Sequence, residues 1–263
     1  MGYLFSRVVR VIALTCSLLV LAAPAGAVAA DRYVALGDSF SSGVGTGSYT
    51  LSSSCRRSVY AYPYLVSQQR PDTTLAFVAC SGATTSDVMA SQIQAVNSTT
   101  SIVSVTIGGN DIHFSDLIVQ CTLSDCSAAL DSTRASLPTV LDARLNTVYS
   151  AIRSQAAVGA QVVVLGYPRM FTTGGCLGTL GISATERSKA NQLADALDGV
   201  IAARAAAFGF AYRSALAPFS THAVCSSSPW LNGLSLFNVT ESYHPNRNGQ
   251  SAGYAPLVRS VVG

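Results

Sequence analysis

The chain has 263 residues, 49% of them hydrophobic and only 11% charged, with a formal net charge of +3. That apolar content is ample for a buried core and excludes a disordered chain. Lys189 is the single lysine and no basic run occurs, which argues against a nucleic-acid-binding surface.

The chain opens with an export signal. Arg7 and Arg10 precede a short apolar run, Val11 to Ala23, and small residues follow, with Ala25-Gly26-Ala27 and Ala27-Val28-Ala29 as cleavage sites. The run falls short of the ~20 residues that span a bilayer, and Pro24 and Gly26 interrupt its end. Residues 1–30 are therefore expected to be a secretory signal peptide, and 31–263 one exported domain with no stable membrane insertion. Losing Cys16 with the signal leaves Cys55, Cys80, Cys121, Cys126, Cys176 and Cys225. An even number in an exported chain points to three disulfides. Pairing in sequence order is the simplest arrangement, though spacing alone does not select it. No C-x-x-C pair is present to suggest bound metal.

The first predicted strand, Tyr33 to Leu36, runs into Gly37-Asp38-Ser39. A Ser/Gly-rich loop over residues 41–54 follows, then a helix over Tyr62 to Gln69. A second strand, Leu75 to Ala79, ends at Cys80-Ser81-Gly82, and Ser86-Asp87 heads a helix reaching Val96. The third strand, Ile102 to Ile107, ends at Gly108-Gly109-Asn110-Asp111. Residues 115–136 read as irregular. Beyond them, Leu141, Leu145, Val148 and Ile152 mark a helix over Leu137 to Ala156. A fourth strand, Gln161 to Leu165, precedes a helix from Ser183 to Phe208, whose Ser183 and Glu186 have capping-box spacing. Phe208 to Tyr212 is a candidate fifth strand, residues 214–242 are irregular, and Asn248 to Val262 is a last helix. Short apolar strands alternating with helices predict an α/β domain with a parallel sheet. Ligands bind such sheets beyond the carboxyl ends of their strands.

Chemistry-bearing residues occupy those ends. Ser39 is placed as a nucleophile, although no G-x-S-x-G is present. Gly82 allows a backbone N–H to approach a ligand, and Asn110 carries a donor amide. Glu241 precedes His244 by three residues, and Pro245 restricts the histidine's backbone. A carboxylate beside an imidazole fixes its tautomer and stabilises imidazolium. Each residue alone has a structural explanation, as a turn, a cap or a packed side chain. Gly43-Val44-Gly45-Thr46-Gly47 lacks the spacing of a dinucleotide loop, so no cofactor is implied.

Taken in order, Gly37-Asp38-Ser39, Gly82, Gly108-Gly109-Asn110-Asp111 and Glu241-x-x-His244-Pro245-Asn246 resemble the GDSL, or SGNH, hydrolase family. The resemblance covers Asp31 to Gly263 and is nearest to the family's secreted actinomycete lipases and esterases. It implies a three-layer α/β/α fold with a five-stranded parallel sheet of flavodoxin-like order. It also implies disulfides Cys55–Cys80, Cys121–Cys126 and Cys176–Cys225. By the same resemblance Ser39 is the nucleophile and His244 the general base. The oxyanion hole comprises the Ser39 and Gly82 amides and the Asn110 side chain. Many members carry Asp where this chain has Glu241, and some orient the histidine with a main-chain carbonyl, so both arrangements stand open. With a reference imidazole pKa of roughly 6.5, activity is expected to rise from acid into the neutral range. The expected activity is hydrolysis of acyl-lipid esters by a secreted monomer. Acetylated polysaccharide or phospholipid esters, and a non-catalytic glycan- or lipid-binding role, are the alternatives.

Overall fold

The computed structural model describes Met1 and residues 31–263. Apart from Met1, the expected signal peptide lies outside the described residues.

Five parallel strands form one sheet: β1 (Asp31–Gly37), β2 (Thr73–Phe77), β3 (Ile102–Thr106), β4 (Gln161–Leu165) and β5 (Ala211–Arg213). Their spatial order is β2-β1-β3-β4-β5. β1 lies between β2 and β3, with Val34 in register with Ala76 on one side and Val103 on the other. β3 is buried throughout, as a parallel strand covered on both faces must be. Polar side chains in this layer are paired: Tyr33 Oη lies 2.6 Å from Ser104 Oγ, and Thr106 Oγ1 lies 2.7 Å from Ser41 Oγ.

Helices cover both faces. α2 (Tyr62–Gln68) and α7 (Ala255–Val262) pack together on one side, while α5 (Ser127–Gln155) packs along α6 (Ala184–Ala207) on the other. α5 buries Leu137, Leu141, Leu145, Val148 and Ile152, the periodic set visible in the sequence. Ser183 caps α6 as its spacing predicts: its side chain accepts from Glu186 N, and Glu186 accepts from Ser183 N at 2.8 Å. The other Glu186 oxygen accepts from Cys126 N, tying this cap to the start of α5.

The region 115–136 is not irregular. It holds α4 (Phe114–Gln120) and the first turns of α5. Pro138 reads as a helix breaker, yet it sits exposed inside α5. The turns before it offer only Leu130 to the core, too little for a visible apolar period. The helix expected from Ser86 is instead capped by Thr84, and only α3 (Thr85–Asp87) is α-helical. It widens over Val88–Gln92, where Gln92 turns inward to bond both backbone groups of Gly37. The fifth strand begins three residues later than expected, because Phe208 and Gly209 form the turn that ends α6.

Candidate active site

The carboxyl end of β1 carries Ser39 at the first position of α1 (Ser39–Ser42). Gly37 reaches this turn with φ +125°, and a Cβ there would lie 2.4 Å from Thr106 O, so only glycine fits. Asp38 caps α1. Its Oδ1 accepts from Phe40 N at 3.0 Å and Thr106 Oγ1 at 2.7 Å, and its Oδ2 accepts from Tyr167 Oη. Asp38 is buried, and desolvation pushes its pKa up to about 6 despite these hydrogen bonds, which favour the charged form.

His244 arrives from the far end of the chain. Its Nε2 lies 2.8 Å from Ser39 Oγ, and its Nδ1 lies 2.8 Å from the Ser242 carbonyl. The carbonyl can only accept, so Nδ1 carries the proton and Nε2 faces the serine as an acceptor. The intervening Tyr243 makes this contact possible: with φ +60° it folds the chain so the ring meets the carbonyl two residues back. The strained turn is held by Asn232, whose N donates to His244 O and whose O accepts from Tyr243 N. Burial pushes the imidazole pKa down from 6.5 to about 4. Arg56 adds to the shift, and the Ser242 carbonyl opposes it.

The carboxylate of Glu241 does not orient His244. It turns away and accepts from Tyr49 Oη at 2.5 Å. Of the two arrangements the sequence leaves open, the geometry matches the main-chain one, with the Ser242 carbonyl in the place beside Nδ1. Trp230 is not among the pocket-lining residues; its ring stacks on that of His222, with centroids 3.7 Å apart.

Gly82 and Asn110 join Ser39 and His244 around a pocket of about 360 Å³. Gly82 has φ +81° and open space where a side chain would stand. The Cys55–Cys80 disulfide anchors its loop. Asn110 Nδ2 donates one hydrogen to Ala83 O at 2.9 Å, which fixes the amide and leaves its second hydrogen available. Asp111 clamps the same two loops, accepting from Thr85 N, Thr85 Oγ1 and Arg144. Tyr167 Oη accepts from Gly109 N while donating to Asp38, so it bridges the serine and asparagine turns. Tyr167, Gln92 and Tyr49 were not singled out in the sequence. Tyr167 alone carried a signal, its position just beyond the end of β4.

The other disulfides are Cys121–Cys126 and Cys176–Cys225, completing the sequence-order set. Cys121, Cys126 and Glu186 are close enough to share a metal ion. Both sulfurs are bonded to each other, however, and Glu186 is engaged by Cys126 N and Ser183 N. Among the described residues this trio is the one grouping of its kind.

A sequence model described as the GDSL-like Lipase/Acylhydrolase family matches residues 35–252. Lipase 1 of Streptomyces coelicolor is 45% identical over 240 residues, spanning 89% of this chain and 88% of that protein. The solved extracellular lipase of Streptomyces rimosus is 47% identical with a TM-score of 0.83, covering 88% of this chain and all of that one. The phospholipase A1 of Streptomyces albidoflavus NA297 also superposes with a TM-score of 0.83, at 45% identity, over 89% of this chain and all of that one. With its sheet order, its ordered motifs and these relatives in agreement, the chain belongs to the GDSL-like lipase/acylhydrolase family.

Proposed function

We propose that this carboxylic ester hydrolase works outside the cell on acyl-lipid esters, with Ser39 as nucleophile and His244 as general base. One observation carries the reading: the 2.8 Å contact between Ser39 Oγ and an Nε2 whose partner nitrogen is already hydrogen-bonded. Ser39 Oγ attacks the ester carbonyl carbon as Nε2 takes its proton. The oxyanion is held by the Ser39 and Gly82 amides and Asn110 Nδ2. His244 then gives the proton to the departing alkoxide, leaving an acyl-serine. Water attacks that ester by the same route, releasing the acid and restoring the serine. The Ser242 carbonyl, rather than a carboxylate, steadies the imidazolium.

Secretion is supported by the N-terminal signal pattern, the three disulfides and the extracellular S. rimosus relative. No helix among the described residues is long and apolar enough to cross a membrane. We read residues 31–263 as one monomeric hydrolase domain. A phospholipid substrate is the second reading, supported by the similarity to the S. albidoflavus phospholipase A1. The deciding experiment is hydrolysis of p-nitrophenyl esters with acyl chains of about two to sixteen carbons, using Ser39→Ala as control. Activity peaking at long chains and lost in the variant is expected. A peak at acetate would redirect the assignment to acetyl esters, and an active Ser39→Ala would remove the serine from the chemistry.

A further inference from the structure

Large apolar side chains are exposed in a pattern that extends well beyond the catalytic pocket. Six of those exposed among the described residues lie on three loops: Leu123, Leu177, Leu180, Leu236, Phe237 and Val239. Phe237 and Leu177 are almost wholly in solvent, at 105% and 88% relative exposure. Scattered surface leucines are ordinary, but a contiguous patch marks an interaction surface.

These loops are contiguous. Val119 lines the pocket, and its carbonyl accepts from Thr122 N at 3.0 Å. Gly181 packs so closely on Thr122 that a Cβ would lie 2.3 Å from the threonine carbonyl. Gly178 packs on Gly233 in the same way, and its carbonyl accepts from Leu234 N. The chain then runs through Leu236 and Phe237 to Val239, which lines the pocket again. The belt thus begins and ends at the mouth of the ester site. Residues 117–124, 170–185 and 223–240 contain no Asp, Glu, Lys, Arg or His. Charged side chains such as Arg56 and Arg187 reach only the borders of these segments, and the belt itself, having no charge, matches a surface without net charge.

We propose that this belt is the face by which the enzyme adsorbs to neutral or zwitterionic lipid surfaces, presenting the pocket mouth to the acyl layer. Loop side chains of this kind immerse shallowly, as interfacial anchors do, and Phe237 is the principal one. The proposal rests on the lipid-ester reading, but adsorption and turnover are separable.

The test is flotation of the folded, oxidised protein with vesicles of a dialkyl-ether phosphatidylcholine, which contains no ester to cleave. Native protein is expected to float with the vesicles at low and high salt. The double variant Leu236→Ser/Phe237→Ser should lose at least tenfold in partition, with unchanged hydrolysis of soluble p-nitrophenyl acetate. Phe237→Trp should retain binding, with a blue-shifted emission that vesicles carrying brominated acyl chains quench. Native protein that stays unbound, binding that requires anionic lipid, or a double variant that binds undiminished overturns the proposal. Concentration-dependent dimers abolished by the double variant, without vesicle binding, assign the belt to a second copy instead. Failure of the ester reading would appear separately, as no hydrolysis of the soluble ester by the native enzyme.

Discussion

At the scale of single residues, the site depends on how each polar group is already committed. Asn110 has one amide hydrogen fixed on Ala83 O and one free. Asn110→Ala is expected to lower kcat by roughly 10²–10³ with KM little changed, as removal of an oxyanion donor does. Steady-state kinetics check this, and a loss below about threefold would take Asn110 out of the hole. Glu241 is committed to Tyr49 instead of His244. Glu241→Gln should therefore cost less than about tenfold in kcat, against the ~10⁴ lost when an orienting carboxylate is neutralised. The buried His244, at about 4, stays neutral and competent far into acid. The acid limb of kcat/KM should lie near that value instead of near 6.5, and a pH-rate profile on a soluble ester measures it.

At the scale of elements, the strands were legible because short apolar runs bounded by glycine leave few alternatives. β4 occupies the residues read from the sequence, and β1 and β3 differ only at their ends. Ser39, Gly82, Asn110 and His244 were legible through their place after strands and their resemblance to family motifs. Tyr49 was not legible, and the choice between Glu241 and a main-chain carbonyl stayed open, because both turn on contacts that only the folded loops create. The start of α5 was hidden by Pro138. That proline removes one backbone donor from the helix and crowds the carbonyl four residues earlier. Its side chain is exposed, so packing offers no compensation. Pro138→Ala restores the hydrogen bond, at some cost in unfolded-state entropy. Thermal unfolding should show a rise of roughly 2–6 °C, the scale of about 1–2 kcal/mol in a chain this long.

At the scale of the whole molecule, the two perturbed groups beside Ser39 act on folding in opposite senses. His244 has a folded pKa below its unfolded one. Its contribution is present above about 6.5 and drains as pH falls through about 4. Asp38 has a folded pKa of about 6 against 3.8 unfolded, so its contribution is present below 3.8 and lost as pH rises through about 6. The windows overlap, and the two slopes largely cancel in the native protein. In His244→Gln the Asp38 slope loses its imidazole counterweight, so stability should fall from about pH 5 to pH 6, above the range where the lowered carboxyls of Asp87, Asp125 and Glu186 contribute. Denaturant unfolding across that range tests it, and a level profile in the variant would contradict the Asp38 shift. The sheet order that brings these groups together also separates them along the chain: Ser39 and His244 stand 205 positions apart. An unfolded chain therefore has the serine without its base. On the proposed reading of an exported lipid esterase, a precursor threaded through a bilayer would pass acyl lipids unable to cleave them, and completion of folding on the far side would act as the enzyme's own activation step.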